Sequence, residues 1–190
     1  MPEIVIVEYR EEWAEEFDAI AAGLHETLGQ RALRVDHIGS TAVPGLAAKN
    51  VIDIQITVRD LTSELEPLLL RAGYQRNTGI GSDHVPPHMA GSARDWEKQL
   101  YHETPGARRV NIHVRRAGSA NGRYALLFRD YLRAHPLAAT AYAQAKMALA
   151  RYAQGNWDLY YDVKDPICDI IMAGAEDWAV ATCWHVEHYT

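Results

Sequence analysis

Cysteine is scarce in this chain, with only Cys168 and Cys183 among 190 residues and no Cys-x-x-Cys spacing. Both fall in one predicted helical region, roughly 22 Å apart if that helix is continuous, so they are read as buried thiols rather than a redox, disulfide or metal pair. Basic residues are not in surplus either. Nineteen Lys and Arg face 25 Asp and Glu, for a formal charge of -6, which argues against a non-specific nucleic-acid binder relying on phosphate neutralisation while leaving room for a local basic cluster. No uninterrupted apolar run has membrane-spanning length, and Met1 to Glu8 lacks the basic and apolar segments of a signal peptide. The expectation is a cytoplasmic protein that does not engage membranes. Repeats, low-complexity segments and a dividing Ser/Gly linker are all missing. The chain is therefore read as one domain over 1–190, with a core over about 1–118 and a helical part over about 119–190. Its apolar fraction of 48% is ample for a buried centre.

The sequence does contain clear periodicities. After a β-like run at Ile4 to Val7, Trp13, Phe17, Ile20, Leu24 and Leu28 recur at helical spacing, predicting an amphipathic helix over 10–29. Leu33 to Ile38 and Val51 to Val58 read as strands, and 61–72 as a helix ending at Gly73. Gly79 to Ser92, rich in Gly, Pro and His, reads as an irregular loop. Strands near Lys98 to Glu103 and Arg109 to Arg116 follow, and helices begin at Asn121. The last helix is expected to start at Asp165, with Asp165 as N-cap and Pro166 at its first position. These elements predict an α+β fold with a C-terminal helical layer.

Chemistry-bearing residues cluster around two alternating strands. In Val51 to Val58, Ile52, Ile54 and Ile56 face one way while Asp53 and Gln55 face the other. In Arg109 to Arg116, Asn111, His113 and Arg115 oppose Val110, Ile112 and Val114. Ahead of the first strand, Gly39 lets the backbone turn close to a phosphate, and the Ser40 hydroxyl with the N–H groups after it supplies donors. Twelve residues lie between Ser40 and Asp53, enough for the chain to return onto an adjacent strand. Asp53 is a candidate catalytic carboxylate and Mg²⁺ ligand, and Gln55 beside it offers a neutral carbonyl oxygen to substrate. His113 is a candidate metal ligand or general base. His37 is a candidate to orient the loop or to touch substrate.

Among the cations, Lys49, Lys98, Lys146 and Lys164 are candidate phosphate contacts. Lys49 is chosen for its nearness to the loop and Lys164 for its place ahead of the expected helix start. Lys146 is a further cation on the helical side. Arg129 and Arg133 share a helix face, where they either bind substrate or pair with acids such as Asp130. His84 and His88 stand four apart, yet Pro86 and Pro87 between them argue against a helical metal pair. A hydrolase using the histidines near 84 to 113 is the weakest of the functional readings.

The run His37-Ile38-Gly39-Ser40-Thr41-Ala42-Val43-Pro44-Gly45-Leu46-Ala47-Ala48-Lys49, the Val51-Ile52-Asp53-Ile54 strand, Asn111-Ile112-His113-Val114 and Phe128-Arg129-Asp130-Tyr131-Leu132-Arg133 together resemble the GrpB family. More narrowly, Asp95-Trp96-Glu97-Lys98 and the stretch from Val110 through Pro136 look like the GrpB-like domain that follows dephospho-CoA kinase in some actinobacteria. No GxxxxGK[ST] loop is present, so kinase activity is not carried over. The resemblance implies a nucleotidyltransferase-like fold: a small mixed β-sheet with helices packed on it, a Gly-Ser loop that positions a nucleotide, and carboxylates that hold metal. Gln55 stands at the second acid position and His113 at or near a third. Two functions follow as expectations. One is a metal-assisted nucleotidyltransferase using Mg²⁺ and an unknown acceptor. The other is a non-catalytic module that binds a nucleotide or CoA-like phosphate compound, or serves as an assembly partner.

Overall fold

The computed structural model describes residues 3–87, 89 and 92–186. Five strands form one mixed sheet: β1 (Arg34–Ile38), β2 (Ile52–Val58), β3 (Tyr74–Asn77), β4 (Gln99–Glu103) and β5 (Val110–Arg116). Their spatial order is β1-β2-β5-β4-β3, with β2 and β5 parallel and every other pair antiparallel. The helices are α1 (Glu12–Leu28), α2 (Glu66–Arg71), α3 (Ala120–Ala134), α4 (Pro136–Ala153) and α5 (Trp157–Thr182).

The alternation read from the two central strands decides how these layers assemble. Ile52, Ile54 and Ile56 of β2 and Ile112 and Val114 of β5 are buried in one cluster with Trp13, Leu24 and Leu28 of α1. Burying each such side chain contributes on the order of 1.5–3 kcal/mol, so this face closes against α1 and α2. The opposite face carries Asp53, Gln55, Asn111, His113 and Arg115 and turns toward the C-terminal helices. Register reinforces the pattern, because Asp53 pairs with Asn111 and Gln55 with His113, which aligns the polar side chains in rows.

Several boundaries differ from the sequence expectation. The run at Ile4 to Val7 forms only an isolated bridge, Val7 to Ala48. The helix expected over 61–72 is confined to α2, and β3 was not anticipated; it is a four-residue edge strand built of Tyr74, Gln75, Arg76 and Asn77. The last helix begins at Trp157, not Asp165. Asn156 is its N-cap, accepting from the Leu159 N–H at 3.1 Å, and Pro166 lies inside the helix. A buried stripe of Tyr160, Cys168, Met172, Ala175 and Ala179 spans the proline, and its packing outweighs the one backbone hydrogen bond that proline removes. Lys164 is consequently inside α5 rather than ahead of it. Cys168 is buried as expected, whereas Cys183, the C-cap residue of α5, is exposed.

Candidate functional site

The polar sheet face, the Gly-Ser loop and the C-terminal helices enclose a cavity of about 480 Å³. Its loop wall begins at Gly39, whose φ of 69° and ψ of -169° suit glycine almost alone. Space demands glycine as well. A Cβ at this position would stand 2.5 Å from Asp53 Oδ2, so the loop backbone rests directly on the carboxylate. The chain then makes a short 3-10 turn over Ser40–Ala42.

Three groups from outside the loop hold it. Arg129 of α3 donates to the His37 carbonyl at 3.0 Å, and Arg133 donates twice to the Ala42 carbonyl, at 2.9 and 2.7 Å. The third group is Lys146 of α4, whose Nζ donates to Ser40 Oγ at 2.8 Å and to the Ala47 carbonyl at 2.6 Å. Lys146 is only 3% exposed, and its ammonium lies 4.6 Å from the centre of the Tyr142 ring. Burial, and then the nearby Lys164 and Lys49 charges, lower its pKa from the usual lysine range to about 7.

On the sheet, Asp53 Oδ1 accepts from Asn111 Nδ2 at 2.7 Å and lies 4.0 Å from His113 Nε2. Burial works to raise the Asp53 pKa, but the neighbouring His113 N–H, the Asn111 hydrogen bond and the Lys49 charge hold it below its ordinary value. His113 is neutral, its pKa lowered to about 4 chiefly by burial and then by Arg115 and Lys98. Lys98 Nζ and Arg115 Nη2 approach His113 Nδ1 at 3.3 and 3.4 Å. Both are donors only, so Nδ1 accepts, and the ring proton sits on Nε2, facing Asp53.

A second acid, Asp83, descends from the Gly79 to Ser92 loop into this cluster. It accepts from Lys98 at 2.6 Å, Arg115 at 2.9 Å and Asn121 at 3.0 Å. Burial opposes ionisation, but the Arg115 and Lys98 charges prevail and hold the carboxyl well below the carboxylate range. Asp83 thereby offsets one of the two positive charges that Lys98 and Arg115 bring to the cavity. Lys164 leans on Asp165 at 3.3 Å. Lys49 meets the Tyr161 hydroxyl at 3.2 Å and lies 5.0 Å from the Trp157 ring centre. Trp96, Tyr124 and Phe128 supply an aromatic wall, with Tyr124 and Phe128 stacked nearly parallel.

Of the residues expected at the site, Gly39, Ser40, Lys49, Asp53, Lys98, His113 and Lys164 all line the cavity. His37 does not. Ile38 is the β1 residue that pairs with Asp53, so His37 points to the other face and stacks on Phe17 of α1 at 4.6 Å. Its Nε2 lies 3.0 Å from Thr41 Oγ1, whose hydroxyl donates to the Val51 carbonyl, so the ring secures the loop from behind. Gln55 shares the face of Asp53 but is 1% exposed under the start of α3. Its oxygen accepts from Arg115 at 2.7 Å and its amide donates to the Gly122 carbonyl at 3.3 Å, so it does not reach the cavity. Arg129 and Arg133 contact loop carbonyls instead of the cavity. His84 bonds Asp169 at 3.1 Å rather than His113, and His88 lies outside the described residues. Asp83 and Asn121 are not among the residues the sequence singles out for the site, and Lys146, a candidate phosphate contact, is the lysine that meets Ser40.

Mg²⁺ takes oxygen ligands in near-octahedral geometry, commonly one or two carboxylates with water. Asp53 supplies one carboxylate, the Gln55 oxygen is committed to Arg115, and His113 presents an N–H rather than a lone pair. No three His, Cys, Asp or Glu side chains converge as a metal site among the described residues. Of Asp53, Gln55 and His113, Asp53 alone offers a carboxylate to a cation, half of a two-acid set.

A mixed five-stranded sheet with helices on both faces and a Gly-Ser loop seated over a strand carboxylate defines an α+β domain of nucleotidyltransferase-like fold. The GrpB protein pattern matches residues 3–173, and the chain belongs to the GrpB family. The crystal structure of conserved protein GrpB from Enterococcus faecalis superposes with a TM-score of 0.74 at 30% identity, covering 92% of this chain and 99% of that one. A UPF0157 protein of Halalkalibacterium halodurans is 33% identical, over 90% of this chain and 82% of that protein. Dephospho-CoA kinase of Mycolicibacterium paratuberculosis is 39% identical over 91% of this chain, but the match spans 46% of the kinase. The chain thus spans about half the length of the dephospho-CoA kinases it matches. No helix among the described residues is long and apolar enough to cross a membrane.

Proposed function

We propose that the cavity binds a nucleotide or a related phosphorylated compound, such as a CoA-like molecule, as a recognition module without metal-assisted nucleotidyl transfer. The observation that carries this reading is Lys146. It is a buried amine on the cavity wall, bonded to the Ser40 hydroxyl and a carbonyl, with no carboxylate in ion-pair distance among the described residues to hold its proton. A buried charge of this kind is costly unless an anion compensates it. A phosphate reaching Ser40 would supply that anion. The volume falls within the range of small-molecule sites, and the nearly parallel Tyr124 and Phe128 rings offer an aromatic surface for a base. Relatives bearing the name dephospho-CoA kinase favour the same ligand class.

Thermal shift with ATP, dephospho-CoA and pyrophosphate, each with and without Mg²⁺, tests the reading. A ligand at a hundred times its Kd stabilises by about 2.7 kcal/mol, which raises Tm by roughly 5–10 °C in a chain of this size. Lys146→Met and Ser40→Ala should remove most of that rise. Absence of any shift with all three compounds would end the proposal.

A further inference from the structure

We infer that Lys49 and Lys146 occupy the electrostatic role that Mg²⁺ holds in a two-acid nucleotidyltransferase site, so that the cavity selects a metal-free terminal phosphate group and Mg²⁺ on the ligand weakens binding. The inference rests on the proposed phosphate binding, and it adds the ionic form of the ligand. The charges of the cavity carry it. Five cations line the wall, namely Lys49, Lys98, Arg115, Lys146 and Lys164, against the three carboxylates Asp53, Asp83 and Asp165. Lys98 and Arg115 share the single charge of Asp83 and Lys164 pairs with Asp165, so that with Asp53 counted the wall keeps an excess of two positive charges. Lys49 and Lys146 are left with uncharged partners, a tyrosine hydroxyl and aromatic rings for one, a serine hydroxyl and a carbonyl for the other. Two ammonium groups facing one cavity match the two negative charges of an unmetallated terminal phosphate group.

The same layout disfavours a phosphate that arrives with its metal. Mg²⁺ already masks the ligand charge that the two lysines would pair, and it would place a divalent cation beside both of them. Asp53 alone could draw it in. That carboxylate is held by Asn111 on Oδ1 and packed under the Gly39 backbone at Oδ2, while His113 turns an N–H toward it and keeps its lone pair on Lys98 and Arg115. Asp53 therefore acts on the ligand mainly as a neighbouring negative charge.

Isothermal titration of the full chain with ATP and with pyrophosphate, in EDTA and in excess Mg²⁺, tests this. Binding should be about three- to fivefold tighter in EDTA, the size of one screened charge pair. Asp53→Asn should tighten metal-free binding by a similar factor, whereas Lys146→Met should weaken it about tenfold or more, as loss of a charge-assisted phosphate bond does. Far-UV circular dichroism and Tm of both variants establish that they fold, and the Asp53 variant keeps the test open if the Lys146 variant does not. Binding that requires Mg²⁺ and is lost in Asp53→Asn would overturn the inference and leave the proposed function standing. Binding of neither compound in either medium would remove both.

Discussion

Gly39→Ala tests the link between loop and carboxylate directly. Two costs are separable in the structure. The backbone at φ 69° and ψ -169° lies where side-chain-bearing residues are strained by about 1–3 kcal/mol. The added methyl would also stand 2.5 Å from Asp53 Oδ2, 2.9 Å from its Cβ and 3.0 Å from its Cγ, so the strand residue itself must move. Overpacking of this kind costs about 1–3 kcal/mol. Against these, alanine stiffens the unfolded chain by about 0.4–1 kcal/mol in favour of folding. The net expectation is a loss of about 2–5 kcal/mol, or roughly 5–15 °C in Tm. Urea denaturation followed by tryptophan fluorescence measures it, with an unchanged m-value showing that the effect is on stability. A double-mutant cycle with Asp53→Gly should recover the overlap and leave the backbone strain, giving a coupling of about 1 kcal/mol or more. A loss below about 1 kcal/mol, or a cycle with no coupling, would refute the reasoning that the loop rests on Asp53.

Two further outcomes are expected. The Lys146 pKa falls from 10.5 to about 7 on folding, so between those values the unfolded chain binds more protons than the folded one and stability rises with pH. The contribution should amount to about 2 kcal/mol between pH 7 and 9, measured by urea midpoints and missing in Lys146→Met. A flat profile in the native chain would contradict a desolvated lysine. Asp83→Asn leaves Lys98 and Arg115 buried without their carboxylate, which should destabilise by about 3–5 kcal/mol while making the cavity more positive and phosphate binding tighter. Weaker phosphate binding by the folded variant would show that Asp83 has a direct part in holding the ligand.

The sequence made the sheet legible because β2 and β5 alternate. A period of two places Asp53 and His113 on the face away from the isoleucines whatever the rest of the chain does, and the register of parallel strands then brings them together. The same rule misled where a second layer intervened. Gln55 does share the face of Asp53, but the start of α3 covers it, and no local pattern records where a distant helix lands. His37 was drawn toward the site by its place beside Gly39, although strand alternation turns it to the opposite face. Pro166 reads as a helix start by local preference, yet the buried stripe on both sides of it continues the helix.

By itself, then, the sequence determined the two-faced sheet, the glycine that the turn demands, and the position of one acid on the polar face, because each follows from local geometry and periodicity. The tertiary structure alone decided the electrostatics. Lys146 meets Ser40 across 106 positions of chain, and Asp83 reaches from an irregular loop to Arg115 across 32. Which cations are neutralised, which remain free and which histidine nitrogen carries the proton depend on those long-range encounters, since charge in a low-dielectric cavity is set by spatial neighbours and not by neighbours in sequence.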